Sequence, residues 1–189
     1  MWDASIIFAK YVEISSDFSV SSMAGKRVLE LGSGCGLGGL ALMMRGAAVT
    51  LTDLPLVTSS LTSINAARVF GKLHSLGAQV VDFIRPIVAP IDWRDHSLIP
   101  STFPDSDRLP FIAFEESYDV VLLTDCVFSR SLVKDLVLTI LKYCAAKSEL
   151  ICCHEIRDEV VKIWRFPIKV DALTHLNTLF VGRQWSIHR

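Results

Sequence analysis

Val28-Leu29-Glu30-Leu31-Gly32-Ser33-Gly34-Cys35-Gly36 decides the fold of this chain. An apolar run ends in a carboxylate and then breaks into alternating glycines. A second apolar run, Val49-Thr50-Leu51-Thr52, ends in Asp53. Strand, glycine-rich turn, helix, strand and acid, in that order, form the first half of a nucleotide-binding βαβ unit. Glycine is needed because the turn adopts positive φ and must let a ligand approach the bare backbone. An acid closing the second strand can accept hydrogen bonds from both ribose hydroxyls of a nucleoside.

Gly34, Gly36 and Gly39 also satisfy the G-x-G-x-x-G spacing of dinucleotide sites, so spacing alone leaves NAD open. Glu30 points elsewhere. A carboxylate just before the first glycine repels a pyrophosphate, whereas the sulfonium and ammonium of S-adenosylmethionine tolerate or prefer it. The residues therefore favour S-adenosylmethionine as cofactor, with Glu30 counted among the cofactor-binding groups.

Composition bounds the remaining choices. A chain of 189 residues fits one domain, spanning residues 1–189, that can bury a core. Hydrophobic content is 51% and mean hydropathy +0.42, yet no uninterrupted apolar run approaches ~18 residues, so no membrane span is expected. The start, Met1-Trp2-Asp3-Ala4, lacks the basic and apolar regions of a signal peptide. A net charge of −1 gives no electrostatic case for nucleic acid. Five cysteines, an odd number, read as free thiols in a reducing, cytoplasmic or nuclear, compartment. Cys152-Cys153-His154 lacks the second ligand pair of a zinc site, so no metal is expected.

Along the chain, helices and strands alternate. Residues 3–13 show helical spacing, with Asp3 as N-cap, and Ser15–Lys26 reads as a polar connection. Strands are expected at 27–31 and 48–52, with a helix from Leu37 to Arg45 between them, stopped by Gly46. A further helix runs from Leu56 to Phe70 and ends near Gly71. Residues 71–85 read as irregular, Pro86–Asp92 as a strand and 94–117 as loop. Tyr118–Asp125 is a buried strand, continuously apolar as parallel strands are. Leu132 to Cys144 carries the clearest helical face, and Glu149–Cys153 is a short strand. The alternation implies an α/β fold with a parallel sheet. In such sheets ligands sit beyond the carboxyl ends of the strands. Those ends are Glu30/Gly32, Asp53, Asp92/Trp93, Thr124/Asp125 and His154/Glu155, with Trp93 placed to wall an adenine.

Trp2-Asp3-Ala4-Ser5, Val28 to Leu37, Leu51-Thr52-Asp53, Ile91-Asp92-Trp93 and Tyr118 to Phe128 together resemble methyltransferase family 16. These are the seven-β-strand protein lysine methyltransferases of the methyltransferase-like 21 group. The resemblance runs from residue 2 to about 160, and its most specific element is Asp125-Cys126-Val127-Phe128, similar to the family's Asp/Glu-x-x-Tyr/Phe signature. His154-Glu155-Ile156-Arg157 also looks like a stretch the family carries after its fifth strand. The resemblance implies a Rossmann-like methyltransferase fold and cofactor contacts from Trp2, Gly32, Ser33, Gly34, Asp53, Trp93 and Thr124. It places Asp125 and Phe128 at the lysine of a protein substrate.

That chemistry suits the residue types. A free lysine titrates at ~10.4, so neutralising it at pH 7 costs roughly 4–5 kcal/mol, less in an apolar slot. Asp125 can orient the amine, and Phe128 can present its π face to the methylammonium, worth ~0.5–2 kcal/mol. The plainer roles are a helix cap for Asp125 and core packing for Phe128.

Three features depart from the family pattern. No extension precedes the Trp2 helix, residues 71–84 look inserted, and Trp164–Arg189, interrupted by Pro167, does not resemble the usual closing helix and antiparallel strand pair. The fold is therefore expected to be incomplete at the C-terminal strand pair. The alternative function is a truncated, non-catalytic relative that keeps the cofactor half and acts as a protein-interaction module.

Overall fold

A computed structural model describes residues 3–76, 83–95, 118–127, 129–156 and 160–167. Among these, six strands form one sheet in the order β3-β2-β1-β4-β5-β6. They are β1 Arg27–Leu31, β2 Ala48–Asp53, β3 Ile87–Pro90, β4 Tyr118–Thr124, β5 Cys144–Ile156 and β6 Val160–Pro167. The first five run parallel, and β6 lies antiparallel on β5. The order reverses at the β1/β4 pair, the switch point where such sheets open for a ligand.

The strands are apolar on both faces because helices cover both, and successive side chains serve opposite cores. Val28, Val120, Leu122 and Ile151 pack with Phe8 and Val12 of α1 (Asp3–Ile14) and Leu40 and Met43 of α3 (Leu37–Met43). Ala66 of α5 (Ser63–Ser75) belongs to the same layer. Leu29, Leu31, Val121, Leu123 and Leu150 point the other way, against Val133, Leu136, Val137 and Ile140 of α6 (Arg130–Tyr143). This alternation sends Glu30 to the α3 side, although it lies in an otherwise apolar strand.

Several expected boundaries move. Ser15–Lys26 contains a 3₁₀ turn, Ser16–Phe18, and the short helix α2, Val20–Met23, each started by a serine cap, Ser15 and Ser19. Phe18 and Met23 are buried, and Phe18 meets the Phe8 ring edge-on at 5.7 Å, so this connection is part of the core. The helix expected over 56–70 starts as α4 (Pro55–Val57), widens into a π-helical turn at Thr58–Thr62, and continues as α5 past Gly71 to Ser75. β5 is longer than expected at both ends. Most of the expected loop at 94–117 lies outside the described residues.

The C-terminal expectation also changes. β6 pairs with β5 from Glu149↔Pro167 to Ile156↔Val160, so an antiparallel strand does close this edge of the sheet. Pro167 is its last residue, where a missing N–H is tolerated. Arg165 anchors the strand. It donates from Nε and Nη2 to the two carboxylate oxygens of Glu149 (2.6 and 3.0 Å), pairs with Asp17 at 2.9 Å, and lies over the Phe18 ring. Among the described residues no helix is long and apolar enough to cross a membrane.

Candidate functional site

The glycine turn joins β1 to α3 and is held by bonds of its own backbone. Gly32, Gly34 and Gly36 all have positive φ, +65°, +54° and +81°. Ser33 N–H donates to Thr52 O (2.8 Å) and Gly36 N–H to Ser33 O (2.7 Å). Gly34 N–H donates to Asp53 Oδ2 at 2.8 Å, and Leu54 N–H to Asp53 Oδ1 at 2.7 Å. The acid at the end of β2 thus shapes the turn itself. A carboxylate has about four acceptor positions, so Asp53 keeps capacity for a ligand.

Two features of the turn have no internal use. A side-chain carbon at Gly34 would meet nothing within 4 Å, so open space lies beside this α-carbon. Ser33 Oγ is buried without a hydrogen-bond partner among the described residues. At Gly32 the surroundings are tight: a Cβ there would come within 3.0 Å of both Cys126 Sγ and Trp93 Cζ2. Trp93, half-buried in the Asp92–Asp95 turn, therefore packs against the first glycine, as its place after β3 requires. Arg94 donates to both oxygens of Asp92 and holds that carboxyl below its usual range.

Glu30 lies beneath the turn, fully buried. Its Oε2 accepts from Gly39 N–H (2.8 Å) and its Oε1 from the Thr124 hydroxyl (3.1 Å). Desolvation raises its carboxyl to about 7, against the lowering effect of those two bonds, and the nearby Asp53 charge adds to the rise. Gly38 and Gly39 are needed here because a Cβ at either would lie 2.7–2.8 Å from a Glu30 oxygen. Glu30 and Thr124, both expected as cofactor contacts, thus join β1, β4 and α3 under the turn.

The β4 end carries the most strained backbone. Asp125 is the non-glycine residue at positive φ among those described, at 60°. Such strain collects at functional sites. Asp125 N–H donates to Cys153 O (2.8 Å), and Asp125 Oδ1 lies 2.8 Å from His154 Nδ1. Cys126 Sγ donates to Leu31 O at 2.9 Å and ties β4 to the start of the turn. Asp125 does not cap α6, whose N-cap is Ser129.

Gly32, Ser33, Gly34, Asp53, Trp93, Thr124 and Asp125 therefore all gather at the carboxyl ends of β1, β2, β3 and β4. Trp2 and Phe128 lie outside the described residues. Sequence reasoning missed two braces in the helix after β2: Thr62 donates to Gly34 O (2.7 Å), and Asn65 to Cys35 O (3.1 Å). No spacing rule marks them, because the π-helical turn that aims them alters the helical phase. It also missed the Asp125–His154 contact, although both residues stood among the strand ends.

The lysine methyltransferase family matches residues 1–81 and 106–166. EEF1A lysine methyltransferase 3 of Xenopus tropicalis is 27% identical over 160 residues, covering 84% of this chain and 58% of that one. Protein N-lysine methyltransferase METTL21A of Mus musculus is 24% identical over 163 residues, covering 84% and 61%. The chain thus spans about 60% of the length of these relatives. Among solved structures, a TehB-like SAM-dependent methyltransferase of Corynebacterium glutamicum superposes with a TM-score of 0.51 at 12% identity, over 92% of this chain and 71% of that one. An O-methyltransferase family protein of Burkholderia thailandensis gives 0.52 at 18%, over 79% and 37%. At such identity the likeness is one of fold, the Rossmann-like methyltransferase fold. With the glycine turn, the β2 acid and the β4 signature all inside the matched segments, this chain belongs to the lysine methyltransferase family.

Proposed function

We propose that the chain is an S-adenosylmethionine-dependent protein-lysine N-methyltransferase, folded as a single domain over residues 1–189. The observation that carries the cofactor assignment is the turn's unused pair: the unpartnered, buried Ser33 hydroxyl and the open space beside Gly34. A nucleoside fits that pair, with Asp53 accepting from the ribose and Trp93 walling the base. Trp2 and Thr124 complete the contacts that the family resemblance implies, and Glu30 supports the turn from beneath. When bound, S-adenosylmethionine supplies an electrophilic methyl group beside a sulfonium charge.

The protein's own task is to deliver an uncharged amine. Asp125, at the switch-point edge, orients the lysine nitrogen of a protein substrate and balances the charge of the methylated product. Phe128, three residues on, offers its ring to the methylammonium. Free thiols at all five cysteines, three of them buried, accord with a reducing, cytoplasmic setting.

The test uses tritiated cofactor with a cell lysate as substrate pool and lysine-specific readout by mass spectrometry. Asn tolerates the left-handed backbone of residue 125, so Asp125→Asn is expected to bind S-adenosylhomocysteine as wild type does. Its lysine labelling is expected to fall by ~100-fold or more, as when a contact made mainly in the transition state is lost. Wild-type protein that fails to bind S-adenosylhomocysteine, or labels no lysine, would refute the reading.

A further inference from the structure

We infer that His154, at the carboxyl end of β5, accepts the proton that the substrate lysine must lose, with Asp125 as its positioning partner. The inference rests on the lysine methyltransferase reading and adds a residue to it.

Strand register brings the pair together. β4 and β5 run parallel with Thr124 opposite Cys153, so the next residues, Asp125 and His154, leave the sheet side by side. The Asp125 N–H bond to Cys153 O fixes that alignment just before His154. The positive φ of Asp125 is what a single strained residue at this edge looks like when its side chain is held in one direction. Its Oδ1 meets His154 Nδ1 at 2.8 Å, with the two side chains 15% and 13% exposed. A carboxylate on Nδ1 favours the tautomer whose Nε2, on the far side of the ring, carries the lone pair. The second Asp125 oxygen remains for the amine.

Proton affinity makes the same choice. The donor is an ammonium at ~10.4, and an imidazole at ~6.5 is a far better match than a carboxylate at ~3.9. The other titratable groups near Asp125 are the thiols of Cys126, Cys152 and Cys153, and burial pushes all three up, Cys153 to about 12, so they stay protonated. Glu30 is fully buried, with both oxygens engaged by Gly39 and Thr124. In the step, one N–H bond of the lysine ammonium breaks and an Nε2–H bond forms. The lysine nitrogen keeps the electron pair, and the imidazolium charge is balanced by Asp125. His154 later returns that proton to water, so each turnover releases one.

Two measurements test this. The first is the pH profile of initial lysine labelling, from pH 6 to about 9.5, for wild type and His154→Gln, with calorimetry on S-adenosylhomocysteine to verify that the variant folds. Wild-type rates are expected to level off above the imidazole range. The variant is expected to lose ~100-fold at pH 7 and to keep climbing towards the lysine's own titration. A variant profile that is merely scaled down, with the wild-type shape, overturns the acceptor role. The second is an NMR titration of the imidazole C–H signals with S-adenosylhomocysteine present. His154 is expected to titrate at higher pH in wild type than in Asp125→Asn, and equal titration in the two overturns the pairing. Loss of the acceptor role leaves wild-type labelling intact, whereas failure of the methyltransferase reading abolishes it.

Discussion

Replacing Asp53 with alanine removes a carboxylate that the turn uses twice and, in the proposed function, the ribose uses again. Gly34 N–H and Leu54 N–H lose acceptors at 2.8 and 2.7 Å. Asp53 is only partly buried, so water can replace part of what they lose, and the fold is expected to survive with a looser turn. Binding is affected more. Hydrogen bonds to a charged group contribute ~1.5–3 kcal/mol each, and discounting for solvent gives a loss of about 2–4 kcal/mol for the ribose contacts. At 1.4 kcal/mol per factor of ten this is roughly 30- to 700-fold weaker affinity. Asp53→Asn is a graded control: its amide oxygen can keep Gly34, but its NH₂ group faces a donor where an acceptor stood. Its affinity is expected between the other two. Isothermal calorimetry with S-adenosylhomocysteine measures all three. If Asp53→Ala binds within threefold of wild type, the ribose assignment and the argument from strand-end acids both fail.

Glu30 should make stability depend on pH in a way Glu30→Gln does not. Its carboxyl rises from 4.5 in the unfolded chain to about 7 in the folded one, so its contribution is complete below about pH 4.5. That contribution is lost as pH rises through about 7, on the order of 3 kcal/mol in all. Glutamine can accept from Gly39 and donate to Thr124 without titrating, so the melting temperature of wild type should fall relative to the variant between pH 5 and 8, and parallel curves would contradict this. Gly39→Ala would press a methyl against Leu51 Cδ2, 2.8 Å from Glu30 Oε2 and 2.9 Å from Val49 Cγ1. Overpacking of ~1–3 kcal/mol should outweigh the ~1 kcal/mol helix gain of alanine, lowering the urea midpoint. Gly34→Ala meets no neighbour within 4 Å, so it should weaken S-adenosylhomocysteine binding more than it lowers that midpoint.

The parallel strands were legible because an apolar run that stops at an acid or a glycine has few other readings. Arg27–Leu31 falls where Val28-Leu29-Glu30-Leu31 placed it, and Tyr118–Thr124 ends one residue short of the expected Asp125. Elements that depend on distant partners were harder to read. Phe18 and Met23 stand among serines, and only the cover supplied by α1 makes them core. Gly71 does not end α5, because a helix already nucleated passes one glycine at a cost near 1 kcal/mol. β6 is an edge strand next to a proline, with no periodic face to announce it. At the site, the glycines and Asp53 carried their own signal. Glu30 was legible as an acid but not in its direction, which the two-residue strand period sets by turning it under α3. The Asp125–His154 contact depends on strand register, which a one-residue slip would abolish.

The bonds around the glycine turn bear on the thermodynamics of ligand capture. Three consecutive carbonyls, those of Ser33, Gly34 and Cys35, are claimed by Gly36, Thr62 and Asn65, and the N–H groups of Ser33 and Gly34 by Thr52 and Asp53. A segment this rich in glycine would otherwise sample many shapes, and fixing each residue carries an entropy of ~1–2 kcal/mol. Over Gly32–Gly36 that amounts to roughly 5–10 kcal/mol, met once when the chain folds and absent from each encounter with a nucleoside. Capture should therefore proceed as docking onto a standing template, with amide exchange at Gly34 already slow before any ligand arrives.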